Sequence, residues 1–130
     1  MTDQKVVEVA DANWEKIIEK SKKPAMVMFY STSCPYCQQM KPYFEEYAEE
    51  FKDTVVFAKV NVAQNPYIAG RYNVMGVPTF KFFCNGHPVQ ELTGSVYPAL
   101  IKRVVEDGLK HGKNCVKNTT WIDTSITGYQ

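Results

Sequence analysis

The sequence lacks any apolar run near the roughly 18 residues that span a membrane, so we expect no membrane partner. It also lacks an excess of charge, because 15 basic and 14 acidic residues leave a net charge of +1. That balance argues against nucleic acid as a partner. Its 130 residues, 45% of them hydrophobic, suffice for one folded domain. The first residues include Asp3 and Glu8 and no long apolar segment, so no secretory signal is visible and we expect a cytoplasmic protein. We also expect a monomer.

Cysteine is also scarce, since four residues are too few for the disulfide scaffold of a small secreted protein. Cys34 and Cys37 form a Cys-Pro-Tyr-Cys motif, while Cys84 and Cys115 stand apart. Such a pair can be a redox centre, half of a zinc site or a structural bond. A zinc site needs four ligands, and the other cysteines and the two histidines are scattered. We therefore expect no metal site. A disulfide that closes a three-residue loop stabilises a fold only weakly, so the redox interpretation is favoured over a structural bond.

Segments with the apolar pattern of a strand alternate along the chain with segments that have the apolar spacing of a helix, and this alternation predicts an α/β fold. Short apolar runs predict strands at 6–9, 25–30, 55–62, 79–83 and 89–93. Spacings of three and four predict helices at 11–21, 34–52, 66–72 and 96–109. Asp11 or Asn13 is the expected cap of the first helix, Pro42 should kink the second, and Asn85-Gly86 marks a hairpin. This order requires a partly parallel sheet, and we predict a domain over residues 1–112 followed by a C-terminal extension over 113–130.

The cysteine pair follows a predicted buried strand and opens a predicted helix. The first turn of a helix has free N–H groups and a partial positive charge, which stabilise a thiolate. We therefore predict that Cys34 is a nucleophile near neutral pH. Cys37, three residues later, is placed to attack a mixed disulfide formed at Cys34, and Pro35 suits the first turn. The predicted chemistry is thiol–disulfide exchange through a Cys34–Cys37 redox disulfide.

Over about residues 6–109 the chain resembles the thioredoxin family. Besides the cysteine pair, the matching features are the segments 58–66 (AKVNVAQNP) and 72–80 (YNVMGVPTF), together with Pro42, Asn85-Gly86 and Gly94. The resemblance implies the thioredoxin fold, a central mixed sheet of about five strands flanked by about four helices. It also implies a cis peptide bond before Pro78, with Pro78 beside Cys34 and the Val77 backbone free to pair with an extended substrate.

Three features, which involve four positions, depart from the family pattern. Ser33 replaces the usual Trp, Pro35-Tyr36 is the dipeptide typical of glutaredoxins, and Met28 replaces a buried Asp that accepts the proton of the resolving thiol. Lys59, the usual neighbour of that Asp, is retained. Loss of a carboxylate beside a lysine favours the thiolate, so we predict that Lys59 tunes the thiol. The expected redox potential is about −200 to −230 mV rather than ~−270 mV. A solvated strand-end lysine is the alternative for Lys59.

The resemblance implies reduction or exchange of protein disulfides, with no bound cofactor and with electrons from a reductase or a low-molecular-weight thiol. Tyr36, in the exposed turn, is either a substrate contact or an ordinary surface residue. One alternative is a glutathione-dependent glutaredoxin, although residues 84–88 (CNGHP) lack the glutathione-binding turn of that family. Another is a thioredoxin-like binding module or an iron–sulfur cluster carrier. The direction of electron flow stays open.

Four further features have structural interpretations. We expect Tyr30, which replaces a common Trp of the family, to pack in the core. Cys84, at the end of a strand, is interpreted as a small core residue. Cys115 is interpreted as an idle thiol, with a regulatory or intermolecular disulfide as the alternative. The extension contains Trp121, which either docks on the domain or anchors a partner.

Overall fold

Five strands and four helices occupy residues 6–94 and 96–110, the part of the chain that the computed structural model describes. The strands are β1 (Val6–Glu8), β2 (Ala25–Tyr30), β3 (Val56–Asn61), β4 (Thr79–Cys84) and β5 (His87–Thr93). The helices are a π-helix (Glu15–Glu19), α1 (Pro35–Glu50), α2 (Pro66–Arg71) and α3 (Pro98–Lys110). The predicted order of elements is therefore confirmed. The predicted boundary at residue 112, the extension and Cys115 lie outside the described residues.

The strands form one mixed sheet in the order β1-β3-β2-β4-β5. β1 and β2 both run parallel to β3, whereas β4 is antiparallel to β2 and β5 is antiparallel to β4. Asn85 and Gly86, with φ of 53° and 83°, connect β4 to β5. Positive φ at both central residues is typical of the type I′ hairpin turn, as the Asn-Gly pair predicts. The sheet and its helices confirm the predicted α/β class.

β2 is apolar throughout because both of its faces are covered. Met26 and Met28 belong to the cluster that contains Phe44 of α1 and Ile101 of α3. The alternate residues Ala25, Val27 and Phe29 pack in a second cluster, which also contains Trp14, Ile18 and Ile68. Burying each large apolar side chain contributes about 1.5–3 kcal/mol to stability. β2 therefore lies between two hydrophobic cores. Packing on both faces fixes the position of its carboxyl end, which leads into the cysteine motif.

The first helix differs from its prediction, because it is a short π-helix rather than an α-helix over residues 11–21. Neither expected cap acts on this helix. Asn13 accepts a hydrogen bond from the Ala10 N–H at 2.7 Å, within the preceding turn. Asp11 accepts the N–H of Ile68, 57 residues further along the chain, at 3.1 Å, so it caps α2. The last helix also begins two residues later than predicted, at Pro98.

Gly108 in α3 provides a test of how closely this helix approaches the sheet. A Cβ at this position would overlap the ring of Phe82, which is fully buried in β4. In a helix, replacement of Gly by Ala normally stabilises the protein by about 0.8–1.0 kcal/mol. Here we expect overpacking to exceed that gain, so that Gly108→Ala destabilises the protein by about 1–2 kcal/mol. Urea unfolding followed by far-UV circular dichroism measures the difference.

Gly70 in α2 is the matched control, because a Cβ there meets no atom within 4 Å. Gly70→Ala should stabilise the protein by about 0.4–1 kcal/mol. Opposite signs for the two substitutions would confirm that packing against Phe82 decides the effect at Gly108. A stabilising Gly108→Ala would show that α3 moves away from the sheet at little cost.

Candidate active site

The two cysteines of the motif are joined by a disulfide at the start of α1, with their Cα atoms 5.2 Å apart. Cys34 is the N-cap, with extended backbone (φ −94°, ψ 112°), and Pro35 is the first residue of the helix. Both cysteines are buried, with exposures of 8% for Cys34 and 3% for Cys37. The predicted position of the pair, after a buried strand and at the opening of a helix, is confirmed.

Backbone groups of the first helical turn are directed at Cys34. The N–H of Cys37 donates a hydrogen bond to Cys34 Sγ at 3.1 Å. The N–H of Gln38 donates to the Cys34 carbonyl at 3.2 Å, which begins the helical hydrogen-bond ladder. Because N–H bonds to an anionic acceptor are stronger than those to a neutral acceptor, this contact strengthens when Cys34 becomes a thiolate. The N-terminus of α1 can thus stabilise a negative charge on the Cys34 sulfur.

The segment between β2 and Cys34 is a tight turn held by serine hydroxyls. The Cys34 N–H donates to the Ser31 carbonyl at 3.2 Å, and the Ser33 N–H donates to Ser31 Oγ at 3.2 Å. The hydroxyls of Ser31 and Ser33 lie 3.0 Å apart. Ser33 therefore supports the turn, although it is exposed and supplies none of the aromatic surface that a Trp would offer.

A cavity of about 190 Å³ lies beside Cys37, which is the cysteine of the pair that lines it. Its other lining residues come from β2, the following turn, α1 and β3, and they are Met28, Tyr30, Thr32, Gln38, Lys41 and Lys59. Lys59 lies within β3, opposite Met28 of β2, and its side chain is 24% exposed. The structure thus places Lys59 at the cavity that Cys37 lines, inside a strand rather than at a strand end.

Glu8 and Tyr30 form a polar cluster with Lys59 that the sequence analysis missed. The Tyr30 hydroxyl donates to Glu8 Oε1 and Oε2 at 3.0 and 2.9 Å. Lys59 Nζ lies 3.7 Å from Glu8 Oε1 and 5.6 Å from the centre of the Tyr30 ring. Burial, together with the hydrogen bond and the charge of Glu8, raises the pKa of Tyr30 to about 12. Tyr30 does pack against the core as predicted, but its hydroxyl leaves the core to bind Glu8.

The remaining predicted residues lie at the same end of the sheet as the cysteines. The Val77–Pro78 peptide bond is cis, as the resemblance implied. β4 begins directly after Pro78, and its first residue, Thr79, is the antiparallel partner of Phe29 near the carboxyl end of β2. Tyr36, the second residue of α1, is 52% exposed.

Comparison with known proteins agrees with this geometry. The family model described as Thioredoxin matches residues 5–107. The chain belongs to the thioredoxin family. Together with the Cys34–Cys37 pair, this membership identifies a thiol–disulfide oxidoreductase.

Three relatives indicate how far the similarity extends. A thioredoxin from Alicyclobacillus acidocaldarius is 38% identical over 86 residues, which are 66% of this chain and 81% of the relative. A thioredoxin from Mycobacterium bovis is 33% identical over 110 residues, or 82% of this chain and 95% of the relative. Thioredoxin Y, chloroplastic, from rice is 32% identical over 102 residues, or 78% of this chain and 61% of the relative.

The described residues also bear on the metal and membrane questions. Across residues 6–94 and 96–110, no three His, Cys, Asp or Glu side chains come together as a metal-binding group. No helix in that same part of the chain combines the length and apolarity needed to cross a bilayer. The arrangement at Cys34 supports nucleophilic sulfur chemistry, and this is the chemistry that the family performs.

Proposed function

We propose that this member of the thioredoxin family reduces or exchanges disulfides of protein substrates, with Cys34 as the nucleophile and Cys37 as the resolving thiol. The observation that carries the proposal is the hydrogen bond from the Cys37 N–H to Cys34 Sγ at the N-terminus of α1. This contact supports Cys34 as the stabilised thiolate and, with it, Cys37 as the resolving sulfur.

The proposed reduction proceeds in two exchanges. The Cys34 thiolate attacks one sulfur of the substrate disulfide, forming a mixed disulfide and releasing the other substrate sulfur, which takes a proton from solvent. Cys37 then loses its proton and attacks Cys34 Sγ. The bond between Cys34 and the substrate breaks, the Cys34–Cys37 disulfide forms, and the second substrate sulfur is released. Two electrons pass from the dithiol to the substrate, and the reverse sequence oxidises a substrate dithiol.

We propose that Tyr36, Val77 and Pro78 contact the substrate. Tyr36 is supported by its position beside Cys34 and by its exposure. Val77 and Pro78 are supported by their place at the end of the sheet where the cysteines lie, and an extended substrate segment could hydrogen-bond to the backbone there. Lys59 is proposed as the charge that favours the thiolate, which its place at the cavity beside Cys37 supports.

The proposed partners are protein substrates with disulfides and an electron donor, either a reductase or a low-molecular-weight thiol. Family membership supports a reductase, since thioredoxins act on disulfide substrates together with such donors. We propose a monomer in the cytoplasm that needs no bound cofactor and binds neither nucleic acid nor membranes. The relatives named above include bacterial thioredoxins and a chloroplastic one, so fractionation of the host cell is the direct test of location.

Substrate trapping tests the proposed function. Cys37→Ser leaves Cys34 able to attack but removes the resolving sulfur, so mixed disulfides between Cys34 and substrates should accumulate. Non-reducing electrophoresis of the variant incubated with cell extract, followed by mass spectrometry, identifies them. The double variant Cys34→Ser/Cys37→Ser is the control and should trap none. Equal trapping by the double variant would contradict the role of Cys34.

The glutaredoxin function has the Pro35-Tyr36 dipeptide in its favour. The trapping experiment separates it from the first proposal, because a glutaredoxin would accumulate glutathione on Cys34 rather than proteins. We expect slow reduction of a small glutathione mixed disulfide compared with reduction of a protein disulfide. Faster turnover of the glutathione substrate would overturn the assignment of protein disulfides as the substrate class.

A further inference from the structure

The polar cluster of Glu8, Tyr30 and Lys59 follows from the register of three strands. Lys59 of β3 is the partner of Met28 in β2 and also of Glu8 in β1. Glu8, Lys59 and Met28 therefore form a row across the sheet. Tyr30, two residues beyond Met28, lies on the same face of β2. The edge strand thereby brings a carboxylate, that of Glu8, into contact with Tyr30 and Lys59, two of the residues that line the cavity.

Cys37 has to lose a proton before it can attack Cys34. Met28 cannot accept that proton, and Lys59 and Lys41, which also line the cavity, are cations. A cavity of about 190 Å³ with hydroxyl, amide and ammonium groups in its lining has room and partners for water. Cys37 and Tyr30 both line this cavity, so they border one space that water can enter.

We propose that Tyr30 and Glu8 carry the proton of Cys37 from this cavity to bulk solvent during resolution of the mixed disulfide. The inference rests on Cys37 being the resolving thiol. The Cys37 proton passes to cavity water, this water donates to the Tyr30 oxygen, and the Tyr30 hydroxyl proton passes to Glu8. The Cys37 sulfur, now a thiolate, attacks Cys34 Sγ and displaces the substrate sulfur, so that charge and electrons balance.

The geometry of the cluster suits such a relay. The Tyr30 hydroxyl already donates to both carboxylate oxygens of Glu8, at 2.9 and 3.0 Å, which leaves its own lone pairs to accept from water. Glu8 is 48% exposed and can pass the proton to solvent, and Lys59 Nζ lies 3.7 Å from its carboxylate. The raised pKa of Tyr30, about 12, keeps this residue protonated across the pH range of the reaction.

A stopped-flow reaction of the reduced protein with 5,5′-dithiobis(2-nitrobenzoate) separates the two exchanges. Attack by Cys34 releases the first thionitrobenzoate in a second-order phase, and attack by Cys37 releases the second in a first-order phase. At pH 7 we expect Tyr30→Phe and Glu8→Gln to slow the first-order phase by at least ~10-fold and to leave the second-order phase within about twofold. At pH 9.5 hydroxide removes the proton directly, and the difference should shrink towards unity.

Two conservative variants outside the cluster serve as controls. Tyr47→Phe removes a hydroxyl from another tyrosine packed on the same core, and Glu50→Gln removes a carboxylate from the Glu50–Lys102 pair of α1 and α3. Both should react as the parent does at every pH. A first-order phase in Tyr30→Phe that equals the parent at pH 7, or that is slowed equally at pH 7 and 9.5, would overturn the relay.

The same experiment distinguishes failure of the relay from failure of the proposed function. Cys37→Ser should abolish the first-order phase. If this phase persists in Cys37→Ser, Cys37 is not the resolving thiol and the proposed function itself fails. If Cys37→Ser abolishes the phase and Tyr30→Phe leaves it unchanged, the dithiol mechanism stands and the proton leaves by another route.

Discussion

Cys34→Ser is expected to lower the rate of protein-disulfide reduction to that of the uncatalysed reaction, because a hydroxyl in place of the thiol cannot form the mixed disulfide. Reduction of insulin by dithiothreitol in the presence of the protein, followed by turbidity, measures the loss. Ser33→Ala is the matched control, since it changes the neighbouring residue and leaves both sulfurs in place. A Cys34→Ser variant that remains active would instead identify the binding-module alternative.

The same assignment predicts the pH dependence of Cys34. In Cys37→Ser, the rate of alkylation of Cys34 by iodoacetamide should be half-maximal at or below about pH 7.5, whereas free cysteine reaches this point near pH 8.5. The cause is stabilisation of the thiolate by the N–H groups of the first turn of α1, of which the Cys37 N–H lies 3.1 Å from the sulfur. Peptide mass spectrometry between pH 4 and 9 locates the midpoint. A midpoint equal to that of free cysteine would contradict nucleophilic activation of Cys34.

The redox potential is expected to be about −200 to −230 mV, which is 40–70 mV, or roughly 2–3 kcal/mol, more oxidising than that of thioredoxin. The cause is the replacement of a buried carboxylate by Met28 beside the cavity that Cys37 and Lys59 line. Glu8 offsets part of the charge of Lys59, but it lies on the far side of Lys59 from Met28 and is half-exposed. Equilibration with glutathione buffers measures the potential, and a value at or below ~−270 mV would contradict the prediction.

Met28→Asp tests the cause of that shift. A carboxylate at this buried position should disfavour the neighbouring thiolate and lower the potential towards ~−270 mV. Met28→Leu is the control, since it keeps an apolar side chain of similar volume, and it should leave the potential unchanged. An equal shift in both variants would indicate that packing at Met28, rather than charge, controls the couple.

The periods of the sequence predicted the order of strands and helices, because these elements follow from local patterns. The run of apolar residues was sufficient to predict β2, and the Asn85-Gly86 pair was sufficient to predict the hairpin turn. Local patterns failed at the first helix. Asp11 is a good cap by residue type, but its hydrogen bond goes to Ile68, and this long-range pairing depends on the assembled fold.

In the active site, too, local motifs located some residues, whereas others depend on the assembled fold. The motif located Cys34 and Cys37, and the resemblance located Lys59 and the cis bond at Pro78. Glu8 could not be found in this way, since its place beside Lys59 depends on the parallel register between β1 and β3. The signal that could have found it is that pairing, which sets Glu8 opposite Lys59 on the neighbouring strand.

The hydrogen bond at Cys34 is present while the pair is oxidised, although it is the reduced sulfur that carries the charge. The donor is part of the helical backbone, so it occupies its position before the charge develops. We therefore expect gain or loss of two electrons to require little reorganisation of the peptide chain around the sulfurs. With such a backbone, the protein can accept electrons from a donor and deliver them to a substrate without refolding the surface that contacts each of them.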